Sequence, residues 1–430
     1  MSDDLFTFSG VHLRPDPSRT VIKPFGVDYP KAFRNPAHPR MRTVIERVLS
    51  LDEATRRVAC KTAIAALSER HRNVETMLMR RFEEVLDYLP EQVAATPEEQ
   101  LLIGAYLSAE FSFEAAALFN PSMLLRMNQS DAPPGGISFI LSLRGIGEGH
   151  VSSVTFRTGR WCPSKGFSID DPSPWVTSPR IEGSGEGGDT GTTRVICEGS
   201  QDPSESVLFP VLASQRQGIE DMRMVRFIED DGTPTFLGTY TAFDGHDARC
   251  ELFRGTGINT FDLTPLKGAV PQSKGMALFP RRIDGQFAMI GRQDSENLWL
   301  IMSDDITVWD GGVKILGPRY PWEFVQMGNC GSPIEIDEGW LLITHGVGLM
   351  RNYCMGACLL DKADPGKLLA RTPQPILRPS PGERSGYVPN VVYSCGGIVH
   401  DRTLLLPFGV ADNFASFASC SVGDLLERMA

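Results

Sequence analysis

The sequence lacks any run approaching the ~18 consecutive apolar residues that a membrane-spanning helix requires. Its opening, MSDDLFTFSG, holds two acids and no apolar core of the kind a secretory leader carries, which predicts a cytoplasmic chain. A basic excess is missing too: 42 Lys+Arg stand against 53 Asp+Glu, a formal charge of −11 over 430 residues. That balance argues against a nucleic acid or an anionic membrane surface as partner, because both are held through clustered Lys and Arg. A small anion stays admissible, since a few converging cations make a positive pocket inside an acidic protein. No metal site is apparent. The nine cysteines are scattered from Cys60 to Cys420, and the one close pair, Cys354 and Cys358, has no second pair or nearby histidine to complete a zinc site. Reduced, buried thiols are the expectation.

What is present falls into two textures, read as one main domain plus an appendage. Residues 1–40 are proline-rich and suggest an extended arm lying on something larger. Val74, Leu78, Phe82 and Val85 recur at helical spacing, so residues 41–90 should form one or two long amphipathic helices, with Ser50–Glu53 as a capping box. Thr96-Pro97-Glu98-Glu99 opens a further helix that ends near Ala109. The charges of residues 42–84 are expected on a solvated face with i,i+4 pairing. From about residue 113, short runs such as ISFILSLR, TFLGTYTAF, QFAMIGR, LWLIMS, WLLITHGV and LLLPFGVA alternate with Gly, Asp, Asn and Pro. Such spacing predicts an all-β sandwich, barrel or propeller, and with no strict repeat it does not choose among them.

Two glycine-rich stretches invite a phosphate-loop reading. Gly145-Ile146-Gly147-Glu148-Gly149 is followed by the strand-like VSSVTFR, so no helix N-terminus faces a pyrophosphate and a dinucleotide site is excluded. Residues 183–189 read as a surface connection.

Several charged clusters can carry chemistry. Glu220, Asp221 and Arg223 precede the strand MVRFIE; alternation would send one carboxylate into a cleft and leave the other to an arginine. A carboxylate there serves as a general acid or as half of a loop ion pair. Arg144, Glu148, His150 and Arg157 share a strand-loop-strand that aims cations at one point or leaves them solvated. Lys274, Arg292, Asp294 and His345 stand beside apolar strands.

Together these clusters resemble glycoside hydrolase family 130, the β-mannoside phosphorylases. The resemblance rests on ALFNPS (117–122), QGIEDMR (217–223), SKGMALFPRRIDGQFAMIGRQDSEN (273–297), WLLITHGV (340–347), GACLLDKADPGKLLAR (356–371), PILRPSPGERSGYVPNVVYSCG (375–396) and PFGVADNFASFA (407–418). It implies a five-bladed β-propeller over residues 113–430, with residues 1–112 as an arm and helical extension. It also implies inverting phosphorolysis, in which inorganic phosphate attacks a terminal β-mannosyl residue and gives α-mannose 1-phosphate. Asp221 is then the general acid, its proton passing through a mannose hydroxyl, and no separate base is needed because phosphate is the nucleophile. Asn120, Ser122 and Arg144 match contacts to the mannose, as does Asp412 in GVAD, and Glu220 and Asp294 join that set. Lys274 and His345 match basic positions associated with phosphate, with Arg249, His150 and Arg292 beside them. No cofactor or metal is implied beyond phosphate as co-substrate; the partners are a β-mannoside and phosphate. The helical portion would cover the propeller, narrow the acceptor site, or form an interface with a second copy. Two departures stand out. Met222 replaces a usual proline in the acid loop, and Pro407-Phe408 replaces a usual Tyr-Tyr, removing hydroxyls. The rivals are a β-mannosidase, which needs a carboxylate base for water, and a non-catalytic sugar-binding propeller.

Overall fold

The computed structural model describes residues 5–182, 191–380, 382 and 386–430, so the 183–189 connection lies outside the described residues. Helices α1 (Arg40–Leu49), α2 (Glu53–Ser68), α3 (Val74–Glu83) and α4 (Pro97–Tyr106) occupy the helical stretch. Three helices rather than one or two fill residues 40–83: the chain leaves the helix at Ser50–Asp52, where extended Asp52 caps α2, and again before α3, where Asn73 takes φ 54° and a left-handed residue cannot continue a helix. The cap of α4 forms as expected: the Glu99 carboxylate accepts from the Thr96 amide at 2.7 Å, while the Thr96 hydroxyl accepts from the Glu99 amide at 3.4 Å. At the start of α2 the cap is Asp52, which accepts from the Thr55 amide at 2.9 Å, whereas Ser50 ends α1 and donates back to the Arg47 carbonyl. Val74, Leu78, Phe82 and Val85 are all buried, with Ile45, Leu102 and Ile103 among their neighbours. Gly104 permits the α3–α4 crossing, since a Cβ there would come within 2.1 Å of the Leu78 carbonyl oxygen.

The charges on these helices do more than face solvent. Arg57 and Glu53 form the expected i,i+4 pair, but Arg72 takes both oxygens of Glu205 at 2.7 Å, and Arg70 and His71 both reach Glu110. These pairs fasten the helices to the flank of the β structure, where bidentate geometry is stronger than a solvated contact.

The remainder is mostly β: five antiparallel four-stranded meanders. The first comprises Ala117–Leu125, Ile137–Ile146, Ser152–Cys162 and Gly166–Ile169. The second comprises Gly218–Ile228, Pro234–Phe243, Ala248–Gly255 and Thr260–Pro265, extended by Thr193–Ile196 and Arg180–Glu182. The third runs through Ala277–Leu278, Phe287–Gly291, Leu298–Ser303 and Val313–Leu316. The fourth uses Gln326–Asn329, Gly339–Val347, Tyr353–Leu360 and Leu368–Arg371. The fifth has Val392–Tyr393, Thr403–Val410 and Phe414–Ser421, and its outer strand is Thr7–Leu13, paired antiparallel so that Phe8 meets Ala418. The first part of the extended arm is thus a strand of the last sheet, while Thr20–Pro24 pairs antiparallel with Ser108–Ser112 in a separate ribbon.

Each meander shares an apolar core with the next. Leu124 and Phe156 of the first pack with Met224 and Phe253 of the second. Phe227 and Leu237 pack with Leu278 and Met289, Phe279 and Ile290 with Trp340 and Leu342, Leu341 and Met355 with Leu404 and Phe408. The series returns to its start where Leu405 and Phe417 of the fifth pack on Phe139 and Leu141 of the first. Because both faces of each meander are covered, strands such as Gly339–Val347 are buried at every residue and read as continuous apolar runs. All nine cysteines are buried and unpaired. Among the described residues no helix is long and apolar enough to cross a membrane.

Candidate active site

A cavity of about 620 Å³ takes lining residues from all five meanders and none from residues 1–112. Its walls divide by chemistry. The fifth, first and second meanders contribute Asp412, Asn120, Arg144, Glu220 and Asp221; the third and fourth contribute Lys274, Arg292, Gln293, Gln326, His345, Arg351 and Tyr353.

Three carboxylate-wall residues share one backbone device. Asn120, Asp221 and Asp412 have φ of 48°, 49° and 49°, the left-handed region that Asn and Asp tolerate best among residues with a Cβ. The ladders holding Asn120 and Asp221 slip at those points, between Phe119 and Ser122 and between Glu220 and Arg223. A bulge breaks the alternation of side chains. Glu220 and Asp221 therefore both enter the cavity, where alternation alone had predicted one. Arg144 donates to Glu220 at 2.7 Å and to Asp221 at 3.3 Å, the Asn120 amide donates to the same Asp221 oxygen at 2.7 Å, and Arg223 donates to the Asp221 backbone carbonyl at 2.9 Å.

These contacts separate the two aspartates electrostatically. Burial alone pushes the Asp221 carboxyl up, but Arg144, Arg223, the Asn120 donor and Lys274 outweigh it and hold it at about 2. Asp412 goes the other way: burial and the neighbouring Asp221 charge raise it to about 6, against the opposing pull of Arg144 and Arg351.

The cation wall is equally built. Arg292 donates from Nε to the Lys274 carbonyl at 3.2 Å, and its Nη1 lies 3.4 Å from His345 Nε2. Burial, then Arg292 and Arg223, push the His345 imidazole well below its ordinary value, so the ring is neutral. His345 stacks on Tyr353 and meets Tyr393 edge-on at 4.8 Å. Glycine is required opposite it, because a Cβ on Gly328 would come 2.3 Å from His345 Cε1.

The structure thus brings together Asn120, Arg144, Glu220, Asp221, Lys274, Arg292, His345 and Asp412. Four sequence candidates lie elsewhere. Ser122 is buried and its hydroxyl accepts from the Met224 amide at 3.0 Å, joining the first two meanders. Asp294 is turned into its own loop, accepting from the amides of Glu296 and Asn297, the Asn297 side chain and Trp299 Nε1 at 2.7–3.0 Å; its neighbours Gln293 and Ser295 line the cavity instead. Arg249 lies outside the lining, with Nε 2.9 Å from Glu251, as does His150, which is exposed against Tyr387. Arg157, read as either converging with Arg144 or solvated, does neither and is buried on Glu114. Sequence reasoning passed over Arg351, Gln326, Tyr353 and Tyr393. Tyr353 and Tyr393 line the cavity, while Phe408, in the Pro407-Phe408 departure, is buried in the core. Among the described residues no cluster of three or more His, Cys, Asp or Glu could hold a metal.

Solved structures share the architecture. The beta-1,2-mannobiose phosphorylase of Listeria innocua superposes with a TM-score of 0.53 at 20% identity, over 74% of this chain and 92% of that one. A structure described under the words "The GH130 family of mannoside phosphorylases contains glycoside hydrolases that target beta-1,2 mannosidic linkages in Candida mannan" also scores 0.53, at 18% identity over 72% and 86% of the two chains. These likenesses show the fold. Residues 197–430 match the model of glycoside hydrolase family 130, described as beta-1,4-mannooligosaccharide phosphorylase, and the chain belongs to that family. The 1,2-beta-oligomannan phosphorylase of Thermoanaerobacter sp. (strain X514) is 36% identical over 225 residues, 50% of this chain and 74% of that protein.

Proposed function

We propose that this protein is an inverting β-mannoside phosphorylase, built as a five-bladed β-propeller over residues 113–430 with residues 1–112 as an arm and helical extension. The observation that carries the reading is the division of the cavity. Lys274, Arg292 and His345 offer fixed donors on one wall to offset the desolvation of a phosphate dianion. Asp221 stands on the other wall within reach of Arg144 and Asn120.

In this reaction a phosphate oxygen bonds to the anomeric carbon as the glycosidic C–O bond breaks. The departing acceptor oxygen takes the proton of Asp221, directly or through a sugar hydroxyl. The products are α-mannose 1-phosphate and the shortened acceptor. Asp221 must be protonated when it acts, and bound phosphate favours this: its negative charge offsets Lys274, one of the cations that hold Asp221 ionised. Asp412, which keeps its proton to about pH 6, supplies a nearby reservoir. Asn120 and Arg144 orient mannose hydroxyls.

The fold alone is shared with a hydrolase, so the walls decide. Inverting hydrolysis needs a carboxylate base for water on the face opposite the acid. Among the described residues, the lining from the third and fourth meanders contains no Asp or Glu.

The test is a screen of β-1,2-, β-1,3- and β-1,4-linked mannosides with and without inorganic phosphate, followed by ³¹P NMR. The Thermoanaerobacter relative, 36% identical over 225 residues, bears a 1,2-linked name, so β-1,2-mannobiose is tried first. Phosphate-dependent mannose 1-phosphate supports the reading; free mannose formed regardless of phosphate replaces it with a hydrolase, and binding without turnover replaces it with a sugar-binding protein.

A further inference from the structure

An inverting displacement places nucleophile and leaving group on opposite faces of the sugar ring. With the phosphate donors on the third and fourth meanders, the acceptor departs toward the fifth, first and second. Groups that recognise the acceptor must stand on that side, and two exposed rings, outside the lining itself, are anchored to the segments that carry Asp412, Arg144 and Asp221.

Tyr387 is 75% exposed. Its position is fixed by its neighbours: a Cβ on Gly386 would come 2.0 Å from the Ala411 carbonyl oxygen, and the Val388 amide donates to that same oxygen at 3.2 Å. Tyr387 is thereby anchored beside Ala411 and Asp412. His150 ends the turn that follows the strand bearing Arg144. Consecutive left-handed residues, Gly149 at φ 66° and His150 at φ 59°, hold that turn, and the Gln217 side chain donates to the Gly149 carbonyl at 3.4 Å. Gln217 immediately precedes the strand of Glu220 and Asp221. The two rings lie 5.6 Å apart with planes at 36°, bridging the seam between the fifth and first meanders.

We propose that Tyr387 and His150 form a shelf for the acceptor saccharide, on the leaving-group side of the cavity, taking a neutral pyranoside by its C–H face. The inference rests on the phosphorylase reading above. An aromatic face left open beside a polar cavity suits a ligand with one apolar surface and a hydroxylated edge, which is what a pyranose presents. It also gives His150 a role on the acceptor side, where the family resemblance had placed it with phosphate.

The experiment measures synthesis by the full chain from mannose 1-phosphate and free mannose, in the wild type and in Tyr387→Ala, Tyr387→Phe and His150→Ala. The shelf predicts a rise of about tenfold in the KM for mannose in Tyr387→Ala, no comparable change in the KM for mannose 1-phosphate, and near-normal behaviour in Tyr387→Phe, which keeps the ring. An unchanged acceptor KM, or equal rises in both constants, overturns it. A His150→Ala effect confined to phosphate affinity in phosphorolysis also overturns it. If the wild type neither makes nor uses mannose 1-phosphate, the phosphorylase reading fails separately. Calorimetry with β-1,2-mannobiose then judges the shelf: weaker binding in Tyr387→Ala keeps it, and equal binding removes it.

Discussion

Arg223 donates to the hydroxyl of Tyr393 at 2.7 Å, joining the second meander to the fifth beneath the cavity. The two meanders are not neighbours in the packing series, so this bond crosses the middle of the molecule. The other arm of the guanidinium holds the Asp221 carbonyl, and the Tyr393 ring holds His345 edge-on. One buried side chain therefore braces both walls.

Removing the Tyr393 hydroxyl leaves a buried guanidinium nitrogen unpaired. Tyr393→Phe should lose about 1–3 kcal/mol of stability in urea unfolding, while the ring contact with His345 persists. An unchanged midpoint would show that the bond contributes nothing.

Asp221→Asn tests the acid directly. Asparagine accepts the left-handed backbone as readily as aspartate, so the fold should persist by circular dichroism while phosphorolysis falls by about 10³-fold or more. Substantial activity on an unactivated mannoside would remove Asp221 from that role.

Lys274→Ala separates the cation wall from the sugar contacts. Loss of one charge-assisted contact to phosphate, about 1.5–3 kcal/mol, should raise the KM for phosphate roughly 10- to 100-fold and leave the KM for the mannoside close to normal. Asp294→Asn provides the contrast, since its carboxylate serves its own loop: phosphate affinity should hold.

Asp412 gives a pH signature. Its folded value of about 6 lies above the ordinary carboxyl value of about 4, so the native state holds a proton that the unfolded chain has released. Wild-type stability on this account falls as pH rises from about 4 to about 6 and stays lower beyond. Asp412→Asn has no such proton to lose, and should be more stable than the wild type by about 3 kcal/mol at pH 8, with the gain vanishing near pH 4. Asp221 acts in the opposite sense: held at about 2, it contributes stability above about pH 4 that is lost as pH falls toward 2. Urea midpoints across this range read both.

Much of this was legible in the chain. Runs such as LWLIMS and WLLITHGV mark strands because both faces are buried, and Thr96-Pro97 marks a helix start because its hydrogen-bonding chemistry is local. Asp221, Lys274 and His345 were found through motifs that reach the same cavity from three meanders. What stayed hidden depends on backbone direction. Strand alternation failed at Glu220 and Asp221 because a bulge intervenes, and Ser122, two residues beyond left-handed Asn120, turns into the seam. Asp294 looked like a cleft acid, yet four nearby donors claim it. Arg351 sits in a turn whose φ of 54° no periodicity announces.

The pairing of Thr7–Leu13 with Phe414–Ser421 has a consequence for biosynthesis. The first of these strands leaves the ribosome about 400 residues before its partner, and it has no neighbour in the last sheet until that partner arrives. Four meanders can form by local pairing while synthesis proceeds, but the fifth awaits its clasp. During that interval Thr7–Leu13 stays open to intermolecular pairing, so conditions that slow late elongation, or a bulky fusion on the leading strand, should burden yield more than they burden the finished enzyme.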